Sequence, residues 1–473
     1  MFFRMLYDPK LAQASYLIGC QKTGEAIVID PERDVDRYIE TAAAEGLHLV
    51  AATETHIHAD FLSGVRELAV RGVHAYLSDE GGHDWKYQWP QKKNGAGDYN
   101  FTLLKDGDTF AIGNIEFKAV HTQGHTPEHM SFLVTDRGSG IDSPMGIATG
   151  DFVFVGDVGR PDLLETAAGV AGAKETSARA LFQSVQKFQT LPDYLQLWPG
   201  HGSGSACGKA LGAVPQSTVG YEKRFNPAVV GASTEATFVE SVLHGQPAPP
   251  LYFARMKREN RDGPPVLGKM PQPPRMQVDQ LLALKKEAVI LDTRLWPDFV
   301  QGHLEGALFV PLNKAFTTIA GSYVMPETDI YLVIDETRVS EAVTDLIRIG
   351  LDRVKGYVTV QELSQRQDLL QPTPHRDMRD IKEMADSGAV ILDVRNTVEF
   401  EAGHLPGAHN VAHTRLLAHL DDLPQNKKLL VHCQSGARSS YATAMLASHG
   451  FDAVQMDGGF VAWQETSGEV VRD

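Results

Sequence analysis

The feature that most constrains the fold is an internal repeat in the second half of the chain. The segment LDTRLWPDFVQGHLEGALFV (291–310) aligns with LDVRNTVEFEAGHLPGAHNV (392–411) at an offset of 101 residues, with Asp, Arg, Phe, Gly-His-Leu, Gly-Ala and Val matching. A period of about a hundred residues is the size of a domain and far exceeds solenoid repeats. The sequence therefore predicts two copies of one domain after a different N-terminal part.

Proline-rich stretches indicate where the domains meet. Proline pairs sustain neither a helix nor a central strand, so such stretches are typical of connectors. They lie at 244–250, 262–276 and 371–375. The part before them alternates β-rich runs with amphipathic helical stretches, which predicts an α/β domain. We expect an α/β multidomain protein with an N-terminal domain at 1–250, a linker and middle copy at 251–372, and a C-terminal copy at 373–473.

Composition excludes several classes of protein. The 473 residues are 42% hydrophobic and 22% charged, with a formal charge of -16 and no Lys/Arg stripe, which disfavours nucleic acid as a partner. No apolar run of about 18 residues occurs, and charged residues interrupt the opening segment, so neither a membrane span nor a signal peptide is expected. Cys20, Cys207 and Cys433 are far apart and odd in number. They favour separate thiols in a reducing, cytoplasmic compartment.

The C-terminal copy carries a motif for sulfur chemistry. The apolar strand LLVH leads into Cys433, the loop continues as QSGARS, and a helical stretch follows. Such a loop directs backbone N–H groups and the helix dipole at an anion, which favours the nucleophilic thiolate. Gly436 permits the tight curvature, and Arg438 offers a forked donor for an oxyanion such as sulfite. The remaining loop residues expected to cradle a persulfide or anion are Gln434, Ser435, Ala437 and Ser439.

These motifs resemble the rhodanese family of sulfurtransferases over nearly all of residues 375–473. In that family the cysteine carries a transferable persulfide sulfur, and Asp393, Arg395 and His404 match framework positions. The middle copy resembles the same fold but has Asp335 at the position of Cys433. A carboxylate there cannot form a persulfide, so we expect a pseudo-rhodanese with a packing or docking role, with a repurposed site as the alternative.

Four polar clusters follow one another along the N-terminal part: THIHAD, HTQGHTPEH, TGDFVFVGDVGR and WPGHGSG. A lone HxH is a weak signal, but four such clusters at strand ends in this order are strong. They resemble the metallo-β-lactamase fold, an αββα sandwich in which such clusters converge on one metal site. The residues that match are His56, His58, Asp60, His125, Asp151 and His201.

Phe61 bears on which group within this superfamily the sequence resembles. In the zinc hydrolases of this superfamily the corresponding position is usually histidine and helps to hold a second metal, which phenylalanine cannot do. The motifs are most similar to those of the persulfide dioxygenases. That resemblance implies one Fe(II) per N-terminal domain, held by His56, His125 and Asp151, with coordination positions left open for substrate and O2.

Residues around this predicted site receive supporting roles. The resemblance places His58 and Asp60 behind the ligands, where they orient them, and His201 at the wall of the pocket. Cys207 is either a sulfur relay or, as we favour, a buried inert thiol. Arg160 either supports the Asp151 loop, the reading we favour, or binds a substrate carboxylate.

The two resemblances together imply a sulfide-detoxifying fusion. A thiol persulfide of the glutathione or coenzyme A type would be oxidised with O2 to sulfite and thiol, while the rhodanese connects sulfite, persulfide and thiosulfate. One alternative is a zinc-dependent thioester hydrolase of the glyoxalase II type fused to a sulfurtransferase. Another is a non-catalytic, sulfur-responsive binding protein. The sequence leaves open the natural thiol and the direction of sulfur transfer, and it gives only weak grounds for expecting a homo-oligomer.

Overall fold

A computed structural model of the chain describes residues 1–91, 99–166, 172–284, 288–466 and 468–472. The chain forms two compact units. The first contains Met1–Met270 and Ile347–Gly350, and the second contains Pro271–Leu346 and Leu351–Asp473. The first unit therefore continues past the connector that begins at residue 244.

Two six-stranded sheets form the centre of the first unit. The first sheet has the strand order β1-β2-β3-β4-β5-β6, and the second has the order β12-β11-β10-β9-β8-β7. The strands are β1 (Phe2–Asp8), β2 (Gln13–Cys20), β3 (Glu25–Ile29), β4 (His48–Thr53), β5 (His74–Ser78), β6 (Phe101–Leu104), β7 (Thr109–Ile112), β8 (Ile115–His121), β9 (Met130–Asp136), β10 (Gly146–Gly150), β11 (Gln196–Pro199) and β12 (Ser217–Thr218). Strands β3 to β6 pair in parallel, as do β10 and β11.

The two sheets pack face to face, and side-chain alternation along β2 explains how. Tyr16 and Ile18 share one core with Phe117 and Phe132 of the second sheet, whereas Leu17 belongs to a different core on the outer face. Every residue of β2 is buried, as is required of a strand in a sheet that is covered on both faces. The first sheet therefore lies between helices and the second sheet.

Helices cover both outer faces. Tyr38 of α1 and Leu68 of α2 pack on the outer side of the first sheet, and Leu181 and Val185 of α4 pack on that of the second. The helices of this unit are α1 (Asp36–Ala44), α2 (Val65–Val70), α3 (Leu163–Thr166), α4 (Ala173–Gln189), α5 (Val219–Phe225), α6 (Pro227–Val230), α7 (Glu235–Leu243) and α8 (Phe253–Asp262). This layering confirms the predicted αββα sandwich.

The second unit contains two parallel sheets with the same core order. The middle copy has the order β15-β13-β16-β17, and the C-terminal copy has β19-β23-β22-β20-β21. Its strands are β13 (Ala288–Asp292), β14 (His303–Leu304), β15 (Leu308–Phe309), β16 (Asp329–Ile334), β17 (Val354–Thr359), β18 (Leu370–Gln371), β19 (His375–Asp377), β20 (Val390–Asp393), β21 (His409–Asn410), β22 (Leu429–His432) and β23 (Ala453–Asp457). In each copy the first core strand of the chain is flanked by the second and third, as duplicated α/β domains require.

Short helices connect these parallel strands. The remaining α-helices are α9 (Val278–Leu284), α10 (Trp296–Gln301), α11 (Phe316–Tyr323), α12 (Val339–Arg348), α13 (Val360–Ser364), α14 (Ile381–Asp386), α15 (Thr397–Glu401), α16 (Ala437–Ser448) and α17 (Gly459–Glu465). Short 3-10 helices occur at His83–Trp85, Arg137–Ser139, Glu336–Arg338, Gln367–Leu369, Met378–Asp380 and His413–Asp422. Within the described ranges, no helix is both long enough and apolar enough to cross a membrane.

An identical buried contact recurs in both copies of the repeat. Arg395 donates to the Asp393 carboxylate at 2.6 Å and to the carbonyl of Gly403 at 2.8 Å. Arg294 makes the same contacts with Asp292 and Gly302, at 2.6 and 2.8 Å. This contact explains why Asp-x-Arg and Gly-His recur in both copies. The arginine pairs with the aspartate at the end of one strand and donates to the glycine carbonyl in the loop before the next strand.

Replacing Arg395 with alanine is expected to destabilise the C-terminal copy by about 3–5 kcal/mol, because the fully buried Asp393 carboxylate loses its ion-pair partner. Hydrogen exchange across β20 and β22 in denaturant measures the effect in the full chain. Arg379→Ala is the matched control, since Arg379 pairs with Asp377 in the same two-residue spacing but on the surface. Equal losses of protection in the two variants would contradict a framework role for Arg395.

Candidate metal centre and sulfur-transfer loop

The predicted metal ligands come from strand ends that share one edge of the sandwich. His56 follows β4, His125 lies between β8 and β9, Asp151 directly follows β10, and His201 lies just after β11. Strands β10 and β11 are parallel, so their carboxyl ends meet at one edge. This topology brings together residues that are far apart in sequence.

His56, His125 and Asp151 form a compact buried group. Asp151 Oδ2 lies 3.8 Å from His56 Nε2 and 3.5 Å from His125 Nε2. One ligand atom from each residue lies within 4.8 Å of the other two. Both Nε2 atoms and both carboxylate oxygens are buried without a hydrogen-bond partner among the described residues. Because unpaired buried polar atoms are costly, their convergence fits a metal ion.

The opposite ring nitrogens of these histidines are anchored. His125 Nδ1 lies 3.0 Å from the carbonyl of Arg160, and since a carbonyl only accepts, Nδ1 carries the proton. His56 Nδ1 lies 3.0 Å from the hydroxyl of Thr55. Such contacts fix the ring orientation and leave the Nε2 lone pair of His125 available to a metal.

Electrostatics also suit a cation. Burial, followed by the charges of neighbouring histidines and Lys257, lowers the pKa values of His56 and His125 well below the ordinary value, so both rings are neutral. Burial raises the pKa of Asp151 to about 6, although the charge of His201 acts in the opposite direction. A bound divalent cation favours the ionised carboxylate, which is the form that ligates.

His58 lies outside the ligand group. Its Nε2 lies 3.1 Å from Asp30 Oδ1, and Asp30 also accepts from the backbone N–H and the hydroxyl of Thr55. Burial acts to lower the pKa of His58, but Asp30 raises it to about 9. His58 is therefore paired with Asp30, and this contact braces the loop.

A second cluster consists of Asp60, His201 and Cys207, whose ligand atoms also lie within 4.8 Å of one another. His201 Nε2 lies 3.3 Å from Asp60 Oδ2 and 3.4 Å from Asp151 Oδ1. Burial, then the charges of Asp60 and Asp151, raises the pKa of Cys207 well above its ordinary value. A protonated thiol is a poor nucleophile, which disfavours the sulfur-relay reading of Cys207.

Phe61 fills space beside these clusters. It is completely buried, and its ring centre lies 4.3 Å from that of His58. The side chain therefore packs against the supporting histidine and supplies no ligand.

Arg160 has a structural environment. Its guanidinium forms a two-pronged ion pair with Asp162, at 2.9 and 2.6 Å, and donates to the carbonyls of Ala206 and Pro247. With its own carbonyl facing His125, Arg160 joins three loops around the site. These contacts agree with the supporting role that the sequence favours.

Several residues outside the predicted ligand set support the site. His129 Nε2 accepts the backbone N–H of Asp151 at 3.1 Å. Asn260 of α8 donates to the carbonyls of His58 and Phe61 at 2.9 and 2.7 Å. Asp30 ends the apolar strand EAIVID, and this position at a strand end was a readable signal. No signal in the sequence connects Asn260 to a loop about two hundred residues earlier.

The Cys433 loop has the predicted strand–loop–helix form. Cys433 directly follows β22, and α16 begins at Ala437. The Gly436 N–H lies 3.2 Å from Cys433 Sγ, and the Ser439 hydroxyl lies 3.5 Å from it. Gly436 has a φ of 109°, which favours glycine. Backbone and hydroxyl donors therefore surround the sulfur.

Arg438 does not have the open fork that the sequence predicted. Its two terminal nitrogens donate to the two oxygens of Glu399, at 2.5 and 2.7 Å. Burial acts to raise the pKa of Glu399, but Arg438 lowers it below its ordinary value. A carboxylate thus already occupies the donor pair expected for sulfite, and the sequence motif around Cys433 gives no indication of it.

A cavity of about 490 Å³ opens beside the loop. One side is formed by residues of the C-terminal copy that include Ser435, Gly436 and Tyr441. The other side comes from the middle copy and is mostly apolar, with Leu295, Trp296, Pro297, Phe309 and Pro311 beside the polar Asn313. Among the described residues that line the cavity, none is lysine or arginine.

Asp335 occupies its own loop in the middle copy. Its carboxylate accepts from the backbone N–H and the hydroxyl of Thr337, at 2.9 and 2.7 Å. These contacts with Thr337 lower the pKa of Asp335. The N–H and the hydroxyl of Thr337 are therefore already bound to the Asp335 carboxylate.

Family models match two parts of the chain. The model of the metallo-beta-lactamase superfamily matches residues 8–201, and that of the rhodanese-like domain matches residues 377–466. Both ranges contain the motifs described above.

Individual known proteins are similar to this chain over different shares of its length. A crystal structure of a metallo-beta-lactamase from Staphylococcus aureus is 42% identical, with a TM-score of 0.67, and the match covers 76% of this chain and 99% of that chain. A beta-lactamase hydrolase-like protein of Xylella fastidiosa is 29% identical over 49% of this chain, and the match spans 53% of that protein's length. The mitochondrial persulfide dioxygenase ETHE1 of Bos taurus is 27% identical over 48% of this chain and 75% of its own length.

Sequence motifs, fold and similarity therefore agree on the kind of protein. The αββα sandwich and the strand-end ligand clusters agree with the 42% identity across almost the whole Staphylococcus aureus chain. The Cys433 loop lies within the range that the rhodanese-like model matches. The chain belongs to the metallo-beta-lactamase superfamily and carries a rhodanese-like domain at its C-terminal end, which confirms the resemblance that its motifs predict.

Proposed function

We propose that the N-terminal domain oxidises low-molecular-weight thiol persulfides with O2 at a single Fe(II), and that the C-terminal domain transfers sulfane sulfur through Cys433. His56, His125 and Asp151 would hold the iron. The observation that carries this proposal is the set of unpaired, buried Nε2 and carboxylate atoms on these three residues. The similarity to a persulfide dioxygenase over the same part of the chain supports the choice of substrate.

Two histidines and one carboxylate are the ligand set typical of non-haem Fe(II) oxygenases. When bound, the iron supplies the redox chemistry that brings O2 and the substrate sulfur into reaction. The chain's own residues exclude water by burial, keep both histidines neutral and fix the carboxylate through the Asp151 backbone contact with His129. These features provide a rigid and dry pocket for oxidation.

The reaction balances as R–S–SH + O2 + H2O → R–SH + SO3²⁻ + 2 H⁺. The terminal sulfur is oxidised and O2 is reduced, and water supplies the third oxygen atom of sulfite and cleaves the S–S bond. Sulfite can then accept sulfur from the C-terminal domain, as Cys–S–S⁻ + SO3²⁻ → Cys–S⁻ + S2O3²⁻. One domain therefore produces a substrate of the other.

The cluster of Asp60, His201 and Cys207 favours a second candidate. If it held another metal beside Asp151, the site would be binuclear, and a zinc-dependent thioester hydrolase of the glyoxalase II type would be the alternative. Phe61 weighs against this reading, because the usual second-metal histidine is absent. The two candidates differ in the number and identity of bound metals.

Metal analysis and oxygen uptake separate the candidates. Purified full-length protein is given glutathione persulfide while dissolved O2 and sulfite are followed, and lactoylglutathione hydrolysis is measured in parallel. We expect about one iron per chain, with oxygen consumption and sulfite release. Two zinc ions per chain with thioester hydrolysis and no oxygen consumption would reject the iron proposal.

Asp151→Ala is expected to remove the iron and abolish oxygen uptake, because it deletes the only carboxylate of the three-residue group. Asp60→Asn is the matched control, since it keeps side-chain volume and should retain about one iron per chain if the centre is mononuclear. Metal content by atomic emission measures both. Full iron retention in Asp151→Ala would show that another carboxylate binds the metal.

Cys433→Ser is expected to abolish sulfur transfer from thiosulfate while leaving oxygen uptake with glutathione persulfide largely intact, because serine cannot form a persulfide. Asp335→Ser changes the corresponding position of the middle copy and serves as the control for both assays. Loss of both activities in Cys433→Ser would contradict two independent sites.

Glu399→Gln is expected to lower the KM for thiosulfate by about tenfold, the effect of roughly 1.4 kcal/mol, because it releases the Arg438 fork from a competing carboxylate. Steady-state sulfur transfer measures the change. Glu401→Gln, an exposed change on the same helix α15, is the control. An unchanged KM would indicate that Arg438 does not reach the sulfur-transfer site.

A further inference from the structure

Helix α8 carries a lysine, Lys257, on its buried face, where lysine is rare in globular domains. The buried residues of α8 are Phe253, Met256, Lys257 and Asn260, which share one face at the spacing i, i+3, i+4 and i+7. Lys257 is only 4% exposed. A lysine at this position buries a cation among apolar side chains, which is unfavourable unless an anion compensates it.

The face that carries Lys257 lies against the metal loop. Asn260, one turn further along α8, donates to the carbonyls of His58 and Phe61. Its side-chain oxygen accepts the backbone N–H of Ser63 at 2.9 Å. Because residues three apart on a helix are neighbours, Lys257 lies beside the contact that braces this loop.

The ammonium group of Lys257 has no anionic partner within hydrogen-bond or ion-pair distance among the described residues. Its Nζ lies 5.3 Å from the centre of the Trp85 ring. A cation–π contact offsets only part of the hydration that burial removes. The group can donate three hydrogen bonds, and no acceptor for them lies within reach in the described part of the chain.

Acidic groups act on Lys257, which shares a helix face with Asn260 and so adjoins the metal loop. Burial lowers the pKa of Lys257, while the charges of Glu128, Cys207, Asp151 and Asp162 act to raise it. Glu128 accepts the backbone N–H of Ile57, inside the His56–Asp60 motif. Glu128 and the face of α8 that carries Lys257 and Asn260 therefore both adjoin the loop that carries His56.

We propose that Lys257 binds the anionic sulfur end of the persulfide substrate beside His56, His125 and Asp151. This inference rests on the proposed oxidation of persulfides. A persulfide anion R–S–S⁻ supplies the charge that the ammonium lacks, and its terminal sulfur is the atom to be oxidised. Lys257 thereby selects charged sulfur species over neutral thioethers and disulfides of similar size.

The test uses the full chain as wild type, Lys257→Met and the control Arg258→Gln, an exposed neighbour on α8. Methionine has nearly the length of lysine without its charge. Iron content and melting temperature are measured for each variant, followed by KM for glutathione persulfide and for 2-mercaptoethanol persulfide, which has no carboxylate.

We expect Lys257→Met to raise KM for both persulfides by at least about tenfold, with unchanged iron content and an equal or higher melting temperature. Arg258→Gln should match wild type. An increase for glutathione persulfide alone would assign the lysine to a carboxylate of the thiol and overturn the sulfur-end assignment. Unchanged KM values with a lower melting temperature would indicate a purely structural lysine and overturn the proposal.

Binding of sulfite to metal-free protein provides a readout that does not depend on oxidation. Because the Cys433 loop is another place where sulfite can bind, the titrations are compared between variants that differ only on α8. Lys257→Met should lose one sulfite site by calorimetry, and Arg258→Gln should keep it. If wild type consumes no oxygen but this difference persists, the proposed oxidation fails while the anion site stands; equal binding in all three proteins would overturn the site.

Discussion

The candidate metal centre of the N-terminal domain is built around a buried carboxylate, that of Asp151, whose oxygens have no hydrogen-bond partner among the described residues. Asp151 presents both oxygens to the Nε2 atoms of His56, His125 and His201 at 3.4 to 3.8 Å, and neutral rings anchored through Nδ1 cannot donate to them. Such a group is unfavourable in isolation and favourable around a cation. Each of these histidines is held at Nδ1 by a backbone carbonyl or a hydroxyl, and the backbone N–H of Asp151 donates to His129.

The surroundings of Cys433 have the opposite electrostatic character, because they present hydrogen-bond donors. Its sulfur is to carry negative charge, and it is surrounded by donors: the Gly436 N–H, the Ser439 hydroxyl and the start of α16. The guanidinium of Arg438 is paired with Glu399, and that of Arg395, which also donates to Gln434 beside Cys433, is paired with Asp393. Neutral donors hold a thiolate or persulfide without attracting a free dianion as strongly as an open arginine would.

The sequence predicted what is encoded locally. Strand-end motifs gave the positions of His56, His125, Asp151 and Cys433, because a polar cluster directly after an apolar strand lies at a sheet edge. It did not reveal the Arg438–Glu399 pair, the support from Asn260 or the buried ammonium of Lys257. Each of these depends on a contact between distant segments, and the residue types alone are equally typical of a solvated helix surface.

The middle copy has the same core strand order as the C-terminal copy but carries Asp335 at the position of Cys433, and it forms part of the cavity beside the Cys433 loop. Asp335 satisfies its own loop, so no anion is needed there, yet Trp296 and Phe309 of the same copy line the cavity that borders the Cys433 loop. An apolar wall stabilises the carbon chain of an organic sulfur carrier by burying apolar surface, and inorganic sulfite or thiosulfate has no such surface to bury. The duplicated domain thus shapes the approach to Cys433 even though Asp335 cannot carry sulfur.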